Sequence, residues 1–290
     1  MAIFTAAAVQ MCSGTTIAEN IAAMETLVRE AASRGATYVQ TPEMTGALVR
    51  DRPALRAMLR TEAEDLVAQA GQRLAGELGI TLHIGSTAIA LDDISENGKV
   101  ANRAFLFGPD GARIATYDKI HMFDVDLDRG ESWRESATYQ PGEKSVVATL
   151  QFATLGVAVC YDLRFPQLFQ AQALAGAEVL TVPAAFTRQT GEAHWHVLLR
   201  SRAIENGAFV IAAAQSGRHQ DGRETFGHSM IIDPWGAILA EATSGEPQVI
   251  TAEIDTAKVA DARKKIPNLR NARAFEVARI GGQGQAQAAE

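Results

Sequence analysis

The chain echoes itself. Gly35-Ala36 is followed after five residues by Pro42, and the same spacing returns at Gly176-Ala177 and Pro183. Later, Pro109-x-Gly111-Ala112-x-Ile114-Ala115 returns as Pro234-x-Gly236-Ala237-x-Leu239-Ala240. The order is the same both times, and the separation far exceeds the roughly 20–50 residues of a solenoid repeat. The first echo reads as a helix end, an apolar strand and a proline breaker; the second reads as a turn between two apolar strands. A chain patterned in this way is expected to form two similar half-sheets with helices on their outer faces. Two mixed β-sheets packed face to face then give an α/β fold, a four-layer α-β-β-α sandwich. Without a linker between the halves, one domain is expected over 1–280, with a Gly/Gln/Ala-rich tail at 281–290 expected to fray.

Local periodicity agrees with that architecture. Ile3–Val9 reads as a buried strand, Ile17–Arg34 as a helix stopped by Gly35, and Thr37–Thr41 as a strand ended by Pro42. A helical stretch follows at Pro53–Leu78, then strands at Thr81–Leu91, Asn102–Phe107 and Ala112–Tyr117, with turns at Ser95–Gly98 and Gly108–Gly111. Lys119–Gly142 has no strong period and many charges, which reads as a long functional loop region. Alternation then resumes with strand Gly156–Val159, helix Phe165–Ala175, strand Glu178–Val182, helix Ala193–Asn206 capped by Gly207, and strand Ala208–Ala214. A hairpin (Ser229–Ile232, Ala237–Ala240), a strand at Gln248–Ile254 and a basic helix at Thr256–Lys265 complete the pattern.

Composition narrows the function classes. A net charge of −7 with no basic block argues against a nucleic-acid partner. Apolar runs such as Ala208–Ala214 are too short to span a bilayer. Met1–Cys12 is apolar but has no positively charged start, so it reads as a first strand rather than a signal peptide, and a cytoplasmic location is expected. In a reducing compartment the only two cysteines, Cys12 and Cys160, are not expected to form a disulfide.

Cys160 closes the run Leu155–Val159 and is followed at once by Tyr161-Asp162-Leu163-Arg164-Phe165-Pro166. At a strand-to-helix turn a thiol is exposed at the strand's C-terminal edge, where backbone N–H groups and the helix dipole favour negative charge. On this context alone the same residue reads more readily as a small buried hydrophobe. Cys12 precedes Ser13-Gly14-Thr15-Thr16 without a charged neighbour and reads as packing. Glu43 follows Pro42 at a sheet edge where ligand sites gather. Its counterpart in the second echo is Ala184, so packing symmetry does not call for a carboxylate there, although a solvated loop Glu fits as well. Lys119 is either a desolvated, fixed cation or an exposed lysine paired with Asp118. His121, close to Lys119, leaves a Cys–His dyad open. His194 and His196 stand two apart on a helix and share no face, a poor spacing for a metal pair, and His83 reads as a core histidine.

Taken together, Pro42-Glu43-Met44, Tyr117-Asp118-Lys119-Ile120-His121 and Gly156-Val157-Ala158-Val159-Cys160-Tyr161-Asp162-Leu163-Arg164-Phe165-Pro166 resemble the Glu, Lys and Cys motifs of the nitrilase superfamily. The resemblance runs from about residue 3 to residue 275 and includes Ala193-His194-Trp195 and Gly227-His228-Ser229-Met230. It implies the α-β-β-α sandwich, assembly as a homodimer or larger oligomer, and hydrolysis of a carbon–nitrogen bond without cofactor or metal. It implies Glu43 as general base, Cys160 as nucleophile and Lys119 as electrostatic stabiliser. Glu135, in Trp133-Arg134-Glu135-Ser136, is implied as the second carboxylate. Lys119 and the N–H of Tyr161 would meet the tetrahedral oxyanion, ammonia would depart, and water would cleave the thioester.

Phe123-Asp124-Val125-Asp126, Phe186-Thr187-Arg188-Gln189-Thr190-Gly191 and Ala213–His219 resemble the Nit branch of that superfamily. Its amidases act on deaminated glutathione or on the monoamides of 2-oxo dicarboxylic acids. Ala214-Gln215 and Thr225-Phe226-Gly227-His228-Ser229 are closer to the first type, which usually carries Tyr at the position of Phe226. The implied partner is a small, anionic amide, with Arg164, Phe186, Thr187 and Arg188 as contact candidates, and Arg218 a further cation. Arg164 fits equally as a structural partner of Asp162. A catalytically silent binding module on the same fold, and a metal hydrolase using His194, His196 or His121, are the competing readings.

Overall fold

The computed structural model describes residues 2–91, 98–127 and 131–280. In chain order the first half runs β1 (Ile3–Gln10), α1 (Ile17–Ser33), β2 (Tyr38–Gln40), α2 (Arg52–Met58), α3 (Leu66–Leu78), β3 (Thr81–Ala90), β4 (Val100–Phe107) and β5 (Arg113–Asp118). A short pair, β6 (Asp124–Asp126) and β7 (Ser132–Arg134), leads into β8 (Val146–Thr149), β9 (Thr154–Val157), α4 (Pro166–Leu174), β10 (Val179–Thr181), α5 (Arg188–Asn206) and β11 (Phe209–Ala212). The chain finishes with β12 (Ser216–Arg218), β13 (Glu224–Phe226), β14 (Met230–Ile232), β15 (Ile238–Glu241), β16 (Gln248–Asp255), α6 (Ala257–Lys265) and α7 (Asn268–Asn271).

The main strands form two six-stranded sheets, ordered β16-β1-β2-β3-β4-β5 and β8-β9-β10-β11-β14-β15. In the first, β1, β2 and β3 are parallel, with β16 antiparallel on one flank and β4–β5 antiparallel on the other. In the second, β9, β10 and β11 are parallel, with β8 antiparallel on one flank and β14–β15 on the other. The two topologies are the same. Both sequence echoes fall on equivalent places, β2 with β10 and the β4–β5 turn with the β14–β15 turn. One asymmetry remains: β16 comes from the end of the chain, whereas β8 directly precedes its own sheet.

Strand alternation sorts side chains between layers. Along β1, Ala6 and Ala8 face the opposite sheet, and Ala7 and Val9 face α1 and α3. Along β11, Phe209 and Ile211 face inward while Val210 and Ala212 pack under α4 and α5. The outer helices bury matching stripes: Val67, Ala70, Gly71, Leu74 and Ala75 on α3 recur at helical spacing. The result is the expected four layers. The C-terminal edges of the sheets are tied together, since Met11 N donates to Ala214 O (3.3 Å) and Ser216 N to Met11 O (2.8 Å). Among the described residues no helix is long and apolar enough to cross a membrane.

Several local expectations are corrected. The helical stretch at Pro53–Leu78 divides into α2 and α3, because the Asp65 side chain caps a new helix by accepting from Ala68 N (2.7 Å). The loop region at Lys119–Gly142 contains the antiparallel pair β6–β7 and a 3-10 turn at Glu135–Ala137. Helix α5 starts earlier than Ala193, at Arg188, capped by Thr187. Strands β8, β12 and β13 were not anticipated. The turn residues 95–97 and the tail at 281–290 lie outside the described residues.

Candidate active site

Each parallel strand delivers its following residue to the same edge. Pro42 ends β2's extension and presents Glu43; β9 leads through Ala158 and Val159 to Cys160; Ala185 follows β10's extension. Lys119 follows β5 directly, with its N–H on Asn102 O (3.0 Å) and its carbonyl taken by Gly142 N (2.8 Å). Cys160 (φ 50°) and Met44 (φ 53°) occupy the left-handed region, which costs a non-glycine residue roughly 1–2 kcal/mol. The turn at Cys160 is held by its own N–H on Pro183 O (2.8 Å) and by Asp162 Oδ2, which accepts from Val159 N (2.9 Å). The strand does not pass straight into a helix. A 3-10 turn, Cys160–Arg164, intervenes, so the end of α4 stands several residues away from the thiol.

Four side chains from separate elements converge. Lys119, 2 % exposed, donates from Nζ to Glu43 Oε1 (2.9 Å) and to both Glu135 oxygens (3.0 and 2.8 Å). Asn102 Nδ2 donates to Glu43 Oε1 (2.9 Å) and Glu135 Oε1 (3.2 Å). Ala185 N donates to Glu43 Oε2 (3.0 Å), and Phe123 N donates to Glu135 Oε2 (2.7 Å). The Cys160 thiol lies against the Glu43 carboxylate. Gln215 supports the Glu43 turn from the second sheet, its Nε2 donating to Glu43 O (3.0 Å).

Electrostatics divide the protons. Burial by itself raises the Glu43 carboxyl, but the Lys119 ammonium and donors from Cys160, Lys119 and Asn102 outweigh it and hold the group below its ordinary value. Burial first, and the Glu43 charge second, push the Cys160 thiol well above its ordinary value. Burial would lower Lys119, yet Glu135 and Glu43 hold it well above. The resting site is therefore a neutral thiol beside a carboxylate and an ammonium. Such a thiol does not ionise alone; sulfur becomes nucleophilic when Glu43 takes its proton.

These groups open onto a cavity of about 260 Å³, lined among others by Tyr161, Phe186 and Thr187. The remaining candidates are placed elsewhere. Arg164 lies over the Tyr161 and Phe186 rings (6.0 and 5.4 Å to the centroids) beside His194 Nδ1 (3.4 Å), and does not line the cavity. Arg188 is exposed and pairs with Glu192 and Glu224 (3.0 and 3.6 Å). Arg218 is also exposed and away from the cavity. Asp162 does not pair with Arg164, because its buried oxygens accept from Tyr117 Oη (2.7 Å), Val159 N and the backbone N–H of His121 (3.1 Å). His121 Nδ1 is also on Asp162 (2.6 Å) and its ring stacks on Phe165, so it is engaged away from a Cys–His dyad. Asp118 pairs with Arg103 (2.6 Å) rather than Lys119. His196 meets His228 and Glu241 rather than His194, and none of these lines the cavity.

Asn102 and Gln215 were not singled out as site residues. The one signal for Asn102 was a polar residue in an otherwise apolar run, Val100-Ala101-Asn102, and it is 1 % exposed.

Comparison with known proteins agrees with this geometry. The sequence model of the carbon-nitrogen hydrolase family matches residues 5–264. A deaminated glutathione amidase of Synechocystis sp. is 40% identical over 272 residues, covering 92% of this chain and 97% of that protein. The omega-amidase NIT2 of Danio rerio is 36% identical over 270 residues, covering 92% and 94%. Among solved structures, Saccharomyces cerevisiae Nit3, a member of branch 10 of the nitrilase superfamily, superposes with a TM-score of 0.80 at 29% identity, covering 92% of this chain and 95% of that one. With a matching family model over most of its length and relatives this similar across theirs, the chain belongs to the carbon–nitrogen hydrolase family.

Proposed function

We propose that this protein is a thiol amidase acting on a small, linear, anionic amide, with deaminated glutathione as its leading substrate. Glu43 takes the Cys160 proton as sulfur attacks the carbonyl carbon. Lys119 and the N–H of Tyr161 stabilise the oxyanion that forms. Glu43 then returns the proton to the leaving nitrogen, and the C–N bond breaks to leave a Cys160 thioester. Water, deprotonated by Glu43, attacks that thioester and restores the thiol. Glu135 keeps Lys119 charged and in place. The observation that carries this reading is the placement of Lys119 between Glu43 and Glu135, with the neutral thiol against Glu43.

The leaving group depends on the substrate. Deaminated glutathione carries its γ-amide on a cysteinyl nitrogen, so cleavage there expels cysteinylglycine; ammonia departs only from a primary amide such as 2-oxoglutaramate. This replaces the expectation of ammonia release for the leading substrate. The reading also includes a single domain over 1–280, a reducing cytoplasm that keeps Cys160 a thiol, and a homodimer. The exposed apolar side chains Val197 and Ile204 of α5, the latter beside Trp235, support that dimer.

The test is kcat/KM for deaminated glutathione, 2-oxoglutaramate, a simple aliphatic amide and a nitrile. The expected order places deaminated glutathione first. A higher value for 2-oxoglutaramate makes the protein an omega-amidase, as the similarity to the Danio rerio relative allows. No turnover of any amide overturns the reading in favour of a silent binding module.

A further inference from the structure

In a chain with 34 acidic and 27 basic residues, Arg50, Arg52, Arg134 and Arg223 line the cavity that holds Cys160. Trp133 of β7 lines the cavity mouth, and two guanidinium carbons lie 4.9 Å from its ring centroid, those of Arg50 and Arg223. Two like charges against one indole repel, and a cation–π contact offsets only part of that repulsion; Asp221 balances Arg223, which leaves the guanidinium of Arg50 as the one to be matched by an anion. Arg223 is oriented by its own loop, with Nε on Asp221 Oδ2 (2.9 Å) and a side chain 18% exposed. Arg50 differs: among the described residues no carboxylate pairs with it. Trp133 is itself positioned by donating from Nε1 to Glu131 Oε1 (2.7 Å).

The pair stands at a distance from the reacting atoms. From Tyr161, next to Cys160, a line of rings runs to Phe123 (5.1 Å between centroids) and on to Trp133 (6.4 Å). The elements that carry it, the segment before α2, the β6–β7 pair and the loop before β13, lie outside the two echoed sheets. They shape the mouth without forming the catalytic set.

The geometry points to Arg50 and Arg223, each against the Trp133 ring at the cavity mouth, as a carboxylate subsite that selects amides with an anionic group remote from the scissile bond. A guanidinium fork matches the planar, two-oxygen geometry of a carboxylate, and a second cation nearby adds to its pull on an anion. In the leading substrate two carboxylates are present. The 2-oxo acid carboxylate lies on the acyl side, about 5 Å from the scissile carbonyl carbon when extended, whereas the glycine carboxylate lies on the leaving-group side, about 7 Å beyond the scissile nitrogen in an extended two-residue chain. The remote one fits this subsite. This inference rests on the amidase reading above and assigns the end of the substrate that the catalytic residues do not touch.

The experiment compares deaminated glutathione with the same molecule ending in a glycine carboxamide, using wild-type protein, Arg50→Gln and Arg223→Gln. Wild type is expected to favour the carboxylate in kcat/KM by about 10- to 100-fold, chiefly through KM. Each substitution is expected to bring that ratio down toward one. A wild-type ratio near one, or a ratio that neither substitution changes, overturns the subsite. If wild type cleaves neither compound, the amidase reading on this substrate has failed. The subsite is then decided by the Kd of Cys160→Ala for the two compounds, where the same carboxylate preference supports it and equal affinities overturn it.

Discussion

Asn102 divides one amide group between two carboxylates that also share Lys119, so both depend on its hydrogens. Its donation helps to hold Glu43 below its ordinary value. In Asn102→Leu that donation is lost and Glu43 rises, so the acid limb of kcat/KM moves to higher pH and kcat falls about 10- to 100-fold. A pH–rate profile checks both, and an unmoved limb would remove Asn102 from the account. His83 makes a different prediction. It is buried in β3, with Nδ1 2.9 Å from Tyr38 Oη, and burial lowers its pKa to about 3 from an ordinary 6.5. Its neutral form is favoured in the folded protein, so its contribution is intact above pH 6.5 and is lost progressively as pH falls toward 3. Relative to His83→Gln, wild type should lose about 2 kcal/mol of unfolding free energy between pH 7 and pH 5, measured by urea titration. Parallel pH dependences would contradict this. At this scale the sequence showed what motifs carry: Glu43, Lys119, Cys160 and Glu135 stand together where resemblance set them. It hid what depends on folding. Arg164 and Arg188 were singled out by their neighbours in the chain, whereas Arg50 and Arg223, far apart in sequence, meet at the cavity only once the chain is folded.

Between residues and the whole fold, strand ends carry the chemistry. Gly85 in β3 sits where both catalytic turns approach, and a Cβ there would collide with the carbonyl oxygens of Thr41 and Pro42 and with the Pro183 side chain. Gly85→Ala is expected to destabilise the protein by about 1–3 kcal/mol and to lower kcat by shifting Pro42 and with it Glu43. Thermal unfolding together with steady-state kinetics tests this, and wild-type values in both would show that the turns can give way. The same crowding explains what was legible among the elements. Helices and strands with clear periods, such as α1 and β3, were found to within a residue. The division of α2 from α3 was not, because capping by Asp65 is a local hydrogen bond inside a continuous helical composition. Strands β12 and β13 have three residues each, too short for alternation to register.

For the molecule as a whole, the internal echo was the most informative feature, since it marked equivalent strands in two sheets of the same topology. It could not show that β16 returns from the chain's end to complete the first sheet, a pairing that spans the full sequence. It also said nothing of association. Val197 and Ile204 stand seven apart on α5, 66% and 50% exposed, and share a face. Sedimentation velocity is expected to give twice the mass of one chain, and a single-chain mass for Val197→Glu combined with Ile204→Glu. A wild-type monomer would contradict the proposed dimer. The central claim is that a neutral Cys160 thiol, deprotonated by Glu43, forms the covalent intermediate. Rapid-quench mass spectrometry with deaminated glutathione tests it most directly. The account predicts a 2-oxoglutaryl adduct on the peptide containing Cys160, absent from Cys160→Ala, whose turnover is also lost; an acyl adduct or full turnover surviving in Cys160→Ala would contradict it.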